Sequence, residues 1–242
     1  MNEQINDTVK KSAYFSNRNV DEKSYIDYIL PRYLNPYFTE TDKEKNILDI
    51  GCGLGQMLTY LKGKGFNSLY GIDINDESIN LCKKHGLDVE KVNDIREFAR
   101  NSNRKFDRIV MSHVLEHISK EDIIDTLIHI KKYLLKEGGI FLLMVPNAQS
   151  YTGAYWRYED FTHNIMFTAG SSTYVLRSAG FENIEFLDPD GTMYMNPVKR
   201  LIIKFLLGYY KLKENAWNKI LQTSYHKPSP RIYTFELKVA AS

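Results

Sequence analysis

The sequence predicts an α/β fold built on a mostly parallel sheet. Short apolar segments alternate with helical segments, and the segment 140–145 is apolar throughout, as is typical of a central parallel strand. The segment 47–50 runs directly into three glycines, Gly51, Gly53 and Gly55. Glycines at this spacing allow a tight turn and a close approach of a ligand to the backbone. The pattern therefore predicts a ligand site at the carboxyl end of the first strand, where open α/β sheets bind ligands.

Seven strands are predicted from apolar and β-branched segments that are bounded by turn residues. The last of them alternates between apolar and polar residues, which is typical of an antiparallel partner. The arm before the first strand carries an amphipathic stripe that we expect to be helical and to pack against the sheet. The strands are placed at 47–50, 69–74, 87–92, 106–111, 140–145, 184–187 and 231–239. The stripe consists of Tyr25, Ile26, Tyr28, Ile29, Leu30, Tyr33 and Leu34.

Helices are predicted between the strands from apolar spacing and from capping residues. One helix, 56–62, follows the glycine loop, and another, 76–85, has Gly86 as a C-cap. Ser119 and Asp122 form a capping box ahead of apolar residues at helical spacing, a run that Gly138 and Gly139 end. A later helix spans 171–178 and is closed by Gly180.

Composition limits the domain organisation and the classes of partner. The 242 residues, 43% of them hydrophobic, suit one globular domain with elaborations. We expect an N-terminal helical arm, 1–45, and a domain, 46–242, that carries an insert at 147–169 and a helical insert at 189–230. The net charge of +2 gives no reason to expect nucleic acid as a partner. The sequence has two cysteines, no signal-peptide core and no apolar run of about 20 residues. This combination predicts a cytoplasmic protein.

Polar side chains lie at the carboxyl ends of the first four strands. These ends share one edge of a parallel sheet, so we expect the side chains to converge on one crevice. A carboxylate at the end of the second strand can accept hydrogen bonds from both hydroxyls of a ribose, and Asp94 is placed for an adenine amino group. Capping of the following helix is the alternative role for Asp94. The residues are Asp49, Asp73, Asn93, Asp94, Ser112 and His113.

Four motifs, in this order and spacing, resemble the class I S-adenosylmethionine-dependent methyltransferase family over about residues 46–145. The resemblance implies a Rossmann-like, seven-stranded, mostly parallel sheet with an antiparallel last strand, helices on both faces and helical cap inserts. It also implies S-adenosyl-L-methionine as the cofactor. The motifs are Ile-Leu-Asp-Ile-Gly-Cys-Gly-Leu-Gly, Gly-Ile-Asp-Ile, Asn-Asp-Ile, and Phe-Asp-Arg-Ile-Val-Met-Ser-His-Val-Leu-Glu-His-Ile.

The family resemblance assigns roles to residues around the crevice. The three glycines flank the methionyl part of the cofactor, Asp73 binds the ribose, and Asp94 with Ile95 frames the adenine. Ser112 and His113 line the inner side. Further residues assigned to the cofactor are Asp49, Gln56, Ile74 and Asn93, together with Tyr14 and Arg18, which we expect to fold over it.

A dinucleotide site is the alternative for the glycine loop. That fingerprint has the spacing Gly-x-Gly-x-x-Gly, with a third glycine that packs against the sheet. Here the spacing is Gly-x-Gly-x-Gly, and Gln56 stands at the sixth position. The order of the later motifs also favours the methyltransferase.

The segment 147–169 is predicted to bind the methyl acceptor, because it is dense in aromatic and polar residues for a connection. His163 is the candidate general base and Asp160 the candidate partner that orients it or binds an acceptor hydroxyl. A buried, hydrogen-bonded histidine, a surface salt bridge for Arg157 and a packed aromatic lid are the structural alternatives. The candidates for binding the acceptor are Arg157, Tyr151, Tyr158 and Asn147.

Later motifs resemble a bacterial subgroup associated with capsule, lipopolysaccharide and other surface-glycan pathways. They are Val-Pro-Asn-Ala, Arg-Tyr-Glu-Asp-Phe-Thr-His-Asn-Ile-Met-Phe-Thr, Val-Leu-Arg-Ser-Ala-Gly-Phe and Pro-Arg-Ile-Tyr-Thr. This resemblance implies an O-methyltransferase of capsule polysaccharide biosynthesis, acting on a sugar, a nucleotide sugar or a sugar substituent. The alternatives are methylation of a quinone-like or amine metabolite, tRNA modification, and a non-catalytic cofactor-binding partner protein.

Two further expectations concern metals and membranes. No metal site is predicted, because the cofactor accounts for the carboxylates near the crevice, and His117 is interpreted as a structural residue. The segment 198–212 is apolar with interspersed lysines, which is typical of a helix on a membrane surface. A helix that closes the active site or forms a homodimer contact is the alternative.

Overall fold

Seven strands form a single sheet in the computed structural model, which describes residues 14–18, 20, 27–226 and 229–242. The adjacent strands in the series β3-β2-β1-β4-β5 pair in parallel, whereas β7 is antiparallel to both β5 and β6. The order of the strands across the sheet is β3-β2-β1-β4-β5-β7-β6. The strands are β1 Ile47–Ile50, β2 Leu69–Asp73, β3 Val89–Lys91, β4 Phe106–Ser112, β5 Leu135–Pro146, β6 Ile184–Phe186 and β7 Glu236–Ala241. The predicted fold class is confirmed.

Eight α-helices, three 3-10 helices and one π-helical turn accompany the sheet in the described part of the chain. The α-helices are α1 Tyr14–Asn17, α2 Gln56–Gly63, α3 Asp76–Lys84, α4 Ile95–Asn101, α5 Ile123–His129, α6 Gly153–Glu159, α7 Ala169–Ser178 and α8 Pro197–Ile220. The 3-10 helices are Arg32–Tyr37, Glu40–Asp42 and Leu115–His117, and the π-helical turn is Ile130–Leu134.

The core lies on both faces of the sheet because successive strand residues point to opposite sides. On one face, Leu48 belongs to a buried cluster that includes Leu127 of α5 and Leu176 of α7. On the other face, Ile47 belongs to a cluster that includes Leu34 and Leu61 of α2. Helices therefore cover both faces, and the carboxyl ends of the strands remain as the open edge. The chain changes direction across the sheet between β1 and β4, the point at which open α/β sheets bind ligands.

The arm packs against the sheet as predicted, but not as one continuous helix. Leu30 and Leu34 are buried in the core, whereas Ile29 is 72% exposed. Within residues 27–34, the part of the stripe that the structure describes, helical form begins only at Arg32, in the 3-10 helix Arg32–Tyr37. Pro31 precedes it and Pro36 lies inside it, and proline lacks the amide hydrogen that an α-helix requires. Tyr25 and Ile26 of the predicted stripe lie outside the described residues.

Three predicted boundaries after β4 are wrong. The helix expected to run as far as the Gly138-Gly139 pair ends with the π-helical turn at Ile130–Leu134, and Leu135 already pairs with Phe106 in the sheet. The last strand begins at Glu236 rather than at residue 231, and residues 231–235 form an irregular connection before it. All six of its residues are buried, since it lies between β5 and β6. The basic apolar helix extends to Ile220 and contains no buried residue.

Candidate active site at the carboxyl edge of the sheet

The glycine loop between β1 and α2 uses backbone conformations that favour glycine at all three positions. The φ angles of Gly51, Gly53 and Gly55 are 75°, 52° and 78°. A Cβ atom at Gly51 would collide with the side chain of Val114, and one at Gly55 would lie 2.6 Å from Leu87. The loop therefore keeps its backbone free of side chains beside the crevice, which we define as the space at the carboxyl ends of β1, β2 and β4.

Asp73 ends β2 with its carboxylate turned toward the glycine loop. Its Oδ2 accepts a hydrogen bond of 2.9 Å from the amide of Gly53, and its Oδ1 accepts one of 2.8 Å from the amide of Asn75. Burial raises the pKa of Asp73, and the backbone hydrogen bonds oppose that shift. Each oxygen keeps a second lone pair, so both can still accept hydrogen bonds from vicinal hydroxyls.

Asp49 lies within β1 and is buried below the loop. Burial, together with repulsion from Asp73, raises the pKa of Asp49 to about 7. Two carboxylates near one another in a poorly solvated crevice produce a negative potential. That potential favours a cationic ligand, such as a molecule with an ammonium and a sulfonium group.

Gln56 supplies a buried acceptor that has no partner among the described residues. Its Oε1 makes no hydrogen bond and lies 3.9 Å from the position of a Cβ at Gly53. A buried carbonyl oxygen of this kind costs free energy until a donor reaches it. The ammonium of a methionyl group is such a donor. These features together fit S-adenosyl-L-methionine. The cofactor would be held by the loop backbone and by the side chains of Asp49, Gln56 and Asp73.

Asp94 caps a helix, as the structural alternative predicted. Its Oδ1 accepts hydrogen bonds from the amides of Arg96 at 2.7 Å and Glu97 at 3.4 Å. The Arg96 guanidinium also binds both oxygens, and these contacts lower the pKa of Asp94. A contact with adenine stays a prediction for Asp94.

Four other residues predicted to hold the cofactor border the crevice. Ile74 follows Asp73 directly and is 37% exposed, so its side chain is available to a flat ring. Asn93 is exposed, while Ile95 at the start of α4 and Ser112 at the end of β4 are half-buried. Their roles stay predictions.

His113 stands between two carboxylates where β4 ends. Its Nδ1 lies 3.3 Å from Oε1 of Glu116, and its Nε2 lies 3.3 Å from Oε2 of Glu236. Burial alone would lower the pKa of His113, but the two carboxylates outweigh it and raise the pKa to about 10. The side chain is 44% exposed. His113 is therefore an imidazolium near neutral pH, and it can donate a proton or a hydrogen bond but cannot accept one.

His163 is buried, and its ring orientation fixes which nitrogen is free. Nδ1 lies 2.8 Å from the carbonyl oxygen of Trp156, which can only accept, so Nδ1 carries the hydrogen. In the neutral ring, Nε2 then has an open lone pair. It lies 3.8 Å from Oε1 of Glu116 and 4.0 Å from Oδ2 of Asp160. The predicted orienting partner, Asp160, is thus beyond hydrogen-bond distance, and the Trp156 carbonyl orients the ring instead.

Asp160 connects the N-terminal arm to the acceptor segment through hydrogen bonds. Its Oδ2 accepts hydrogen bonds of 2.6 Å from the Tyr14 hydroxyl and 2.6 Å from the Arg18 guanidinium. Although burial opposes the shift, hydrogen bonds from Thr162 and Tyr14 lower the pKa of Asp160 to about 2. On the other side of the arm, Phe15 lies 3.5 Å from the position of a Cβ at Gly53. The arm therefore crosses the crevice from the glycine loop to the acceptor segment.

The predicted acceptor residues divide into internal and exposed ones. The amide of Asn147 donates to the carbonyls of Ile232 and Thr234, and its Oδ1 accepts from a backbone amide. The Arg157 guanidinium donates to the backbone carbonyls of the residues at positions 163 and 164. These contacts favour structural roles for both residues. Tyr151 and Tyr158, by contrast, are 92% and 79% exposed, and the Arg157 guanidinium lies over the Tyr158 ring at 5.8 Å from its centroid.

The fold brings three further polar residues to this site, two of which, Glu116 and Glu236, were not predicted, while His117 was interpreted as structural. Glu116 is fully buried, and His117 lies beside His163 with a ring-centroid separation of 4.8 Å. Glu236, at the start of β7, joins His113 and accepts a hydrogen bond of 3.2 Å from the Tyr33 hydroxyl. Glu116 and His117 belong to the motif Ser-His-Val-Leu-Glu-His, so their density after β4 was a usable signal. Glu236 had none, because only sheet pairing places it there.

Comparisons with known proteins identify the family. A family model described as a methyltransferase domain matches residues 22–186, so the chain belongs to this family. It is 27% identical to a ubiquinone biosynthesis O-methyltransferase of Hydrogenovibrio crunogenus over 192 residues, which are 70% of this chain and 76% of the relative. Shorter matches to other curated relatives span 25% to 46% of their lengths.

Solved structures show the same fold. A SAM-dependent methyltransferase from Archaeoglobus fulgidus is 23% identical, with a TM-score of 0.61 over 87% of this chain and 89% of that one. The plantazolicin methyltransferase BpumL in complex with SAH is 19% identical, with a TM-score of 0.57 over 98% and 90% of the two chains. The protein is an S-adenosyl-L-methionine-dependent methyltransferase, and the predicted enzyme class and cofactor are confirmed.

Proposed function

We propose that this methyltransferase methylates an oxygen atom of a small carbohydrate, such as a sugar, a nucleotide sugar or a sugar substituent, in surface-glycan biosynthesis. The observation that carries the proposal is the contact between Nδ1 of His163 and the Trp156 carbonyl, which makes Nε2 the proton acceptor of the neutral ring. This nitrogen lies among acceptor-side carboxylates beyond the ends of β4 and β5. An alcohol must lose a proton when it is methylated, and this lone pair can take it.

The bound cofactor supplies an electrophilic methyl group on a positively charged sulfur. The acceptor oxygen gains that methyl group and loses its proton, and Nε2 of His163 receives the proton. Trp156 keeps the ring in the required tautomer through its carbonyl. Because His113 holds its own proton, it serves as a hydrogen-bond donor to the acceptor rather than as a base. The arm, through Tyr14 and Phe15, restricts water beside the reacting atoms.

Two features support a carbohydrate acceptor. The aromatic side chains Tyr151, Tyr155, Tyr158 and Phe161 are each more than half exposed within eleven residues of the acceptor segment. Exposed flat rings of this kind stack on sugar rings. The carboxylates of Glu116 and Glu236 near His113 offer acceptors for hydroxyl groups. A quinone-like phenol is the second candidate, supported by the name of the Hydrogenovibrio relative.

The acceptor class is tested with methyl-labelled S-adenosyl-L-methionine. The full chain is incubated separately with nucleotide sugars, phosphorylated sugars, catechols and amines, and each mixture is analysed by mass spectrometry. We expect label on an oxygen of a carbohydrate. Label on a catechol oxygen would favour the second candidate, and label on nitrogen would contradict O-methylation.

We also propose that α8 lies on the cytoplasmic surface of an anionic membrane. Among the described residues no helix is both long and apolar enough to cross a bilayer. However, α8 presents an outer stripe whose members are all more than half exposed. The outer stripe consists of Val198, Leu201, Ile202, Phe205, Tyr209, Leu212 and Ile220. An amphipathic helix with an apolar stripe and basic flanks is typical of interfacial binding.

The charge of α8 favours lipid over a second copy of the chain. The helix contains six basic residues and one acidic residue, Glu214. That carboxylate already binds Tyr225, Tyr233 and Arg231 on the inner side. Pairing two outer stripes would therefore bring lysines together without carboxylates to balance them. An anionic bilayer provides the balancing charge, and it would place the enzyme beside lipid-linked glycans.

The membrane proposal is tested by sedimentation with vesicles. We expect binding to vesicles that contain phosphatidylglycerol and weak binding to pure phosphatidylcholine. The double variant Leu201→Glu, Phe205→Glu should lose binding, whereas Tyr174→Glu, an equally exposed aromatic on α7, should not. A stable dimer in analytical ultracentrifugation, without vesicle binding, would contradict the proposal and favour the homodimer.

A further inference from the structure

Glu116, His117 and His163 form a cluster of hydrogen-bond acceptors beside the acceptor segment. One potential ligand atom from each residue lies within 4.8 Å of the others. The three side chains come from two places, the 3-10 turn Leu115–His117 and the segment after α6. Histidine and carboxylate groups gathered at this separation match the ligand types of divalent transition metals.

The carboxylate of Glu116 is the least satisfied polar group of this cluster. The residue is 0% exposed, and neither of its oxygens makes a hydrogen bond with any described residue. The His113 imidazolium approaches Oε1 to 3.3 Å as an ion pair without hydrogen-bond alignment, and Oε2 has no hydrogen-bond partner among the described residues. A buried carboxylate is costly unless its oxygens accept hydrogen bonds or bind a metal. These two oxygens therefore call for a specific explanation, of which an ion is one.

In both histidines a hydrogen bond fixes Nδ1, so that Nε2 is the nitrogen without a hydrogen in the neutral ring. Nδ1 of His163 donates to the carbonyl of Trp156, as described above. Nδ1 of His117 lies 3.3 Å from the carbonyl of Thr162 and 2.8 Å from its hydroxyl. That hydroxyl donates to Asp160, so it accepts from His117. In the neutral rings, Nε2 of each histidine is therefore an acceptor. Metal-binding histidines are usually fixed in this way, by a contact from the other ring nitrogen.

The separation within the cluster also suits a cation. Metal–ligand bonds of about 2.0–2.2 Å at tetrahedral angles keep neighbouring ligand atoms about 3.3–3.6 Å apart. Nε2 of His163 and Oε1 of Glu116 are 3.8 Å apart. A group of acceptors at this distance cannot satisfy one another by hydrogen bonds, because none of them carries a hydrogen.

We propose that Glu116, His117 and His163 bind one divalent transition-metal cation of the Zn²⁺ or Co²⁺ type, whose remaining coordination positions take oxygens of the methyl acceptor. Two imidazoles and one carboxylate are a ligand set that leaves a position open for substrate. The inference rests on the proposed acceptor class and deepens it, since it gives the acceptor vicinal or chelating oxygens. It replaces the role proposed above for His163, because Nε2 would bind the cation instead of taking the proton. The cation would lower the pKa of a bound acceptor hydroxyl, whose proton would then pass to water.

The site is tested first by metal binding alone, in the absence of cofactor and acceptor. The full chain is stripped with EDTA, dialysed and titrated with Co²⁺, and the visible absorption is recorded. Zn²⁺ titration calorimetry gives the stoichiometry. We expect one cation per chain, with a dissociation constant at least tenfold higher in His163→Ala, His117→Ala and Glu116→Gln. His85→Ala, which removes an exposed histidine at the end of α3, should bind as the wild type does.

Circular dichroism melting verifies that each variant is folded, and the partly exposed His117→Ala keeps the test valid if the buried variants unfold. Equal Co²⁺ affinity in folded His117→Ala and in the wild type would overturn the proposal. So would the lack of a visible absorption band. Binding measured in this way does not depend on whether any acceptor is methylated. Conversely, carbohydrate methylation that persists in EDTA would refute the cation while leaving the proposed function intact, with His163 as the base.

Discussion

The two sides of the crevice are built in different ways. On the cofactor side, the glycine loop and Asp73 offer mainly backbone geometry from short, continuous motifs. On the acceptor side, the site consists of side chains from distant parts of the chain, such as Arg18, Glu116, Asp160 and Glu236. Backbone geometry leaves a spaced glycine pattern in the sequence, whereas a side-chain constellation leaves none. The comparison shows why this sequence indicates its cofactor clearly and its acceptor only in outline.

The largest expected effect is a loss of cofactor affinity caused by a substitution in the glycine loop. Gly51→Ala puts a methyl group into the side chain of Val114 at a φ of 75°, where a side chain is strained. We expect affinity for S-adenosylhomocysteine to fall about 100-fold or more, as measured by calorimetry. Gly63→Ala is the matched control, because a Cβ at Gly63 would meet nothing within 4 Å. Unchanged affinity in Gly51→Ala would contradict the described loop.

His163→Ala should affect only the acceptor side. Loss of a group that acts directly on the acceptor oxygen should lower turnover by about 10² to 10⁴. Affinity for the cofactor should stay within about threefold of the wild type, since Nε2 faces Glu116 rather than the glycine loop. Turnover rates and calorimetry measure the two quantities separately. A variant that keeps full turnover would show that His163 has no catalytic role.

The buried Asp49 makes the cofactor side sensitive to pH. Its folded pKa of about 7 exceeds the usual aspartate value of about 3.9, so the folded chain retains a proton that the unfolded chain releases. This contribution to stability is present below pH of about 4 and is lost as pH rises through about 7. Asp49→Asn should therefore stabilise the cofactor-free protein by about 2 to 4 kcal/mol at pH 8 and much less at pH 4. Denaturant unfolding at both pH values measures the difference, and an equal effect at both would contradict the raised pKa.

Asp160→Asn tests the link between the two sides. It weakens the charge-assisted contacts that hold Tyr14 and Arg18 across the crevice. We expect the affinities for cofactor and acceptor to fall together, by about tenfold, and the arm to become easier to cleave in limited proteolysis. The neighbouring Glu159→Gln, at an exposed position, provides the control. A change confined to the acceptor would mean that the arm does not cover the cofactor.

The smallest expected effect concerns Asp94. Because its oxygens cap α4 and bind Arg96, Asp94→Ala should cost about 1 kcal/mol of stability. Cofactor affinity should change by less than about threefold if capping is its main role. A much larger loss of affinity at unchanged stability would instead support the predicted contact with adenine.

Much of the fold was predictable because parallel strands are continuous apolar segments that end in polar residues. The predicted bounds of β1 are those of the structure, and β2 and β4 differ from prediction by one residue. The errors arose where tertiary contacts override local pattern. Leu135 joins the sheet directly from a helical turn, and β7 is buried between two strands despite an alternating sequence.

The acceptor side was predictable only in part, for a physical reason. His163 and Asp160 stood out because they belong to a short polar segment. The contacts that define their chemistry could not be read from the sequence. The Trp156 carbonyl fixes the tautomer of His163, and Oδ2 of Asp160 accepts hydrogen bonds from Tyr14 and Arg18. Glu236 reaches His113 only because β7 pairs with β5 beside β4. Such proximity follows from sheet order rather than from sequence spacing.

A crystal structure of the full chain with S-adenosylhomocysteine tests the central claim most directly, namely that the two sides meet at the sulfur. We expect the ribose hydroxyls on Asp73, the ammonium on Oε1 of Gln56, and the sulfur facing the space beside His113 and His163. A sulfur directed away from those histidines, or a ligand that does not contact the glycine loop, would contradict the account.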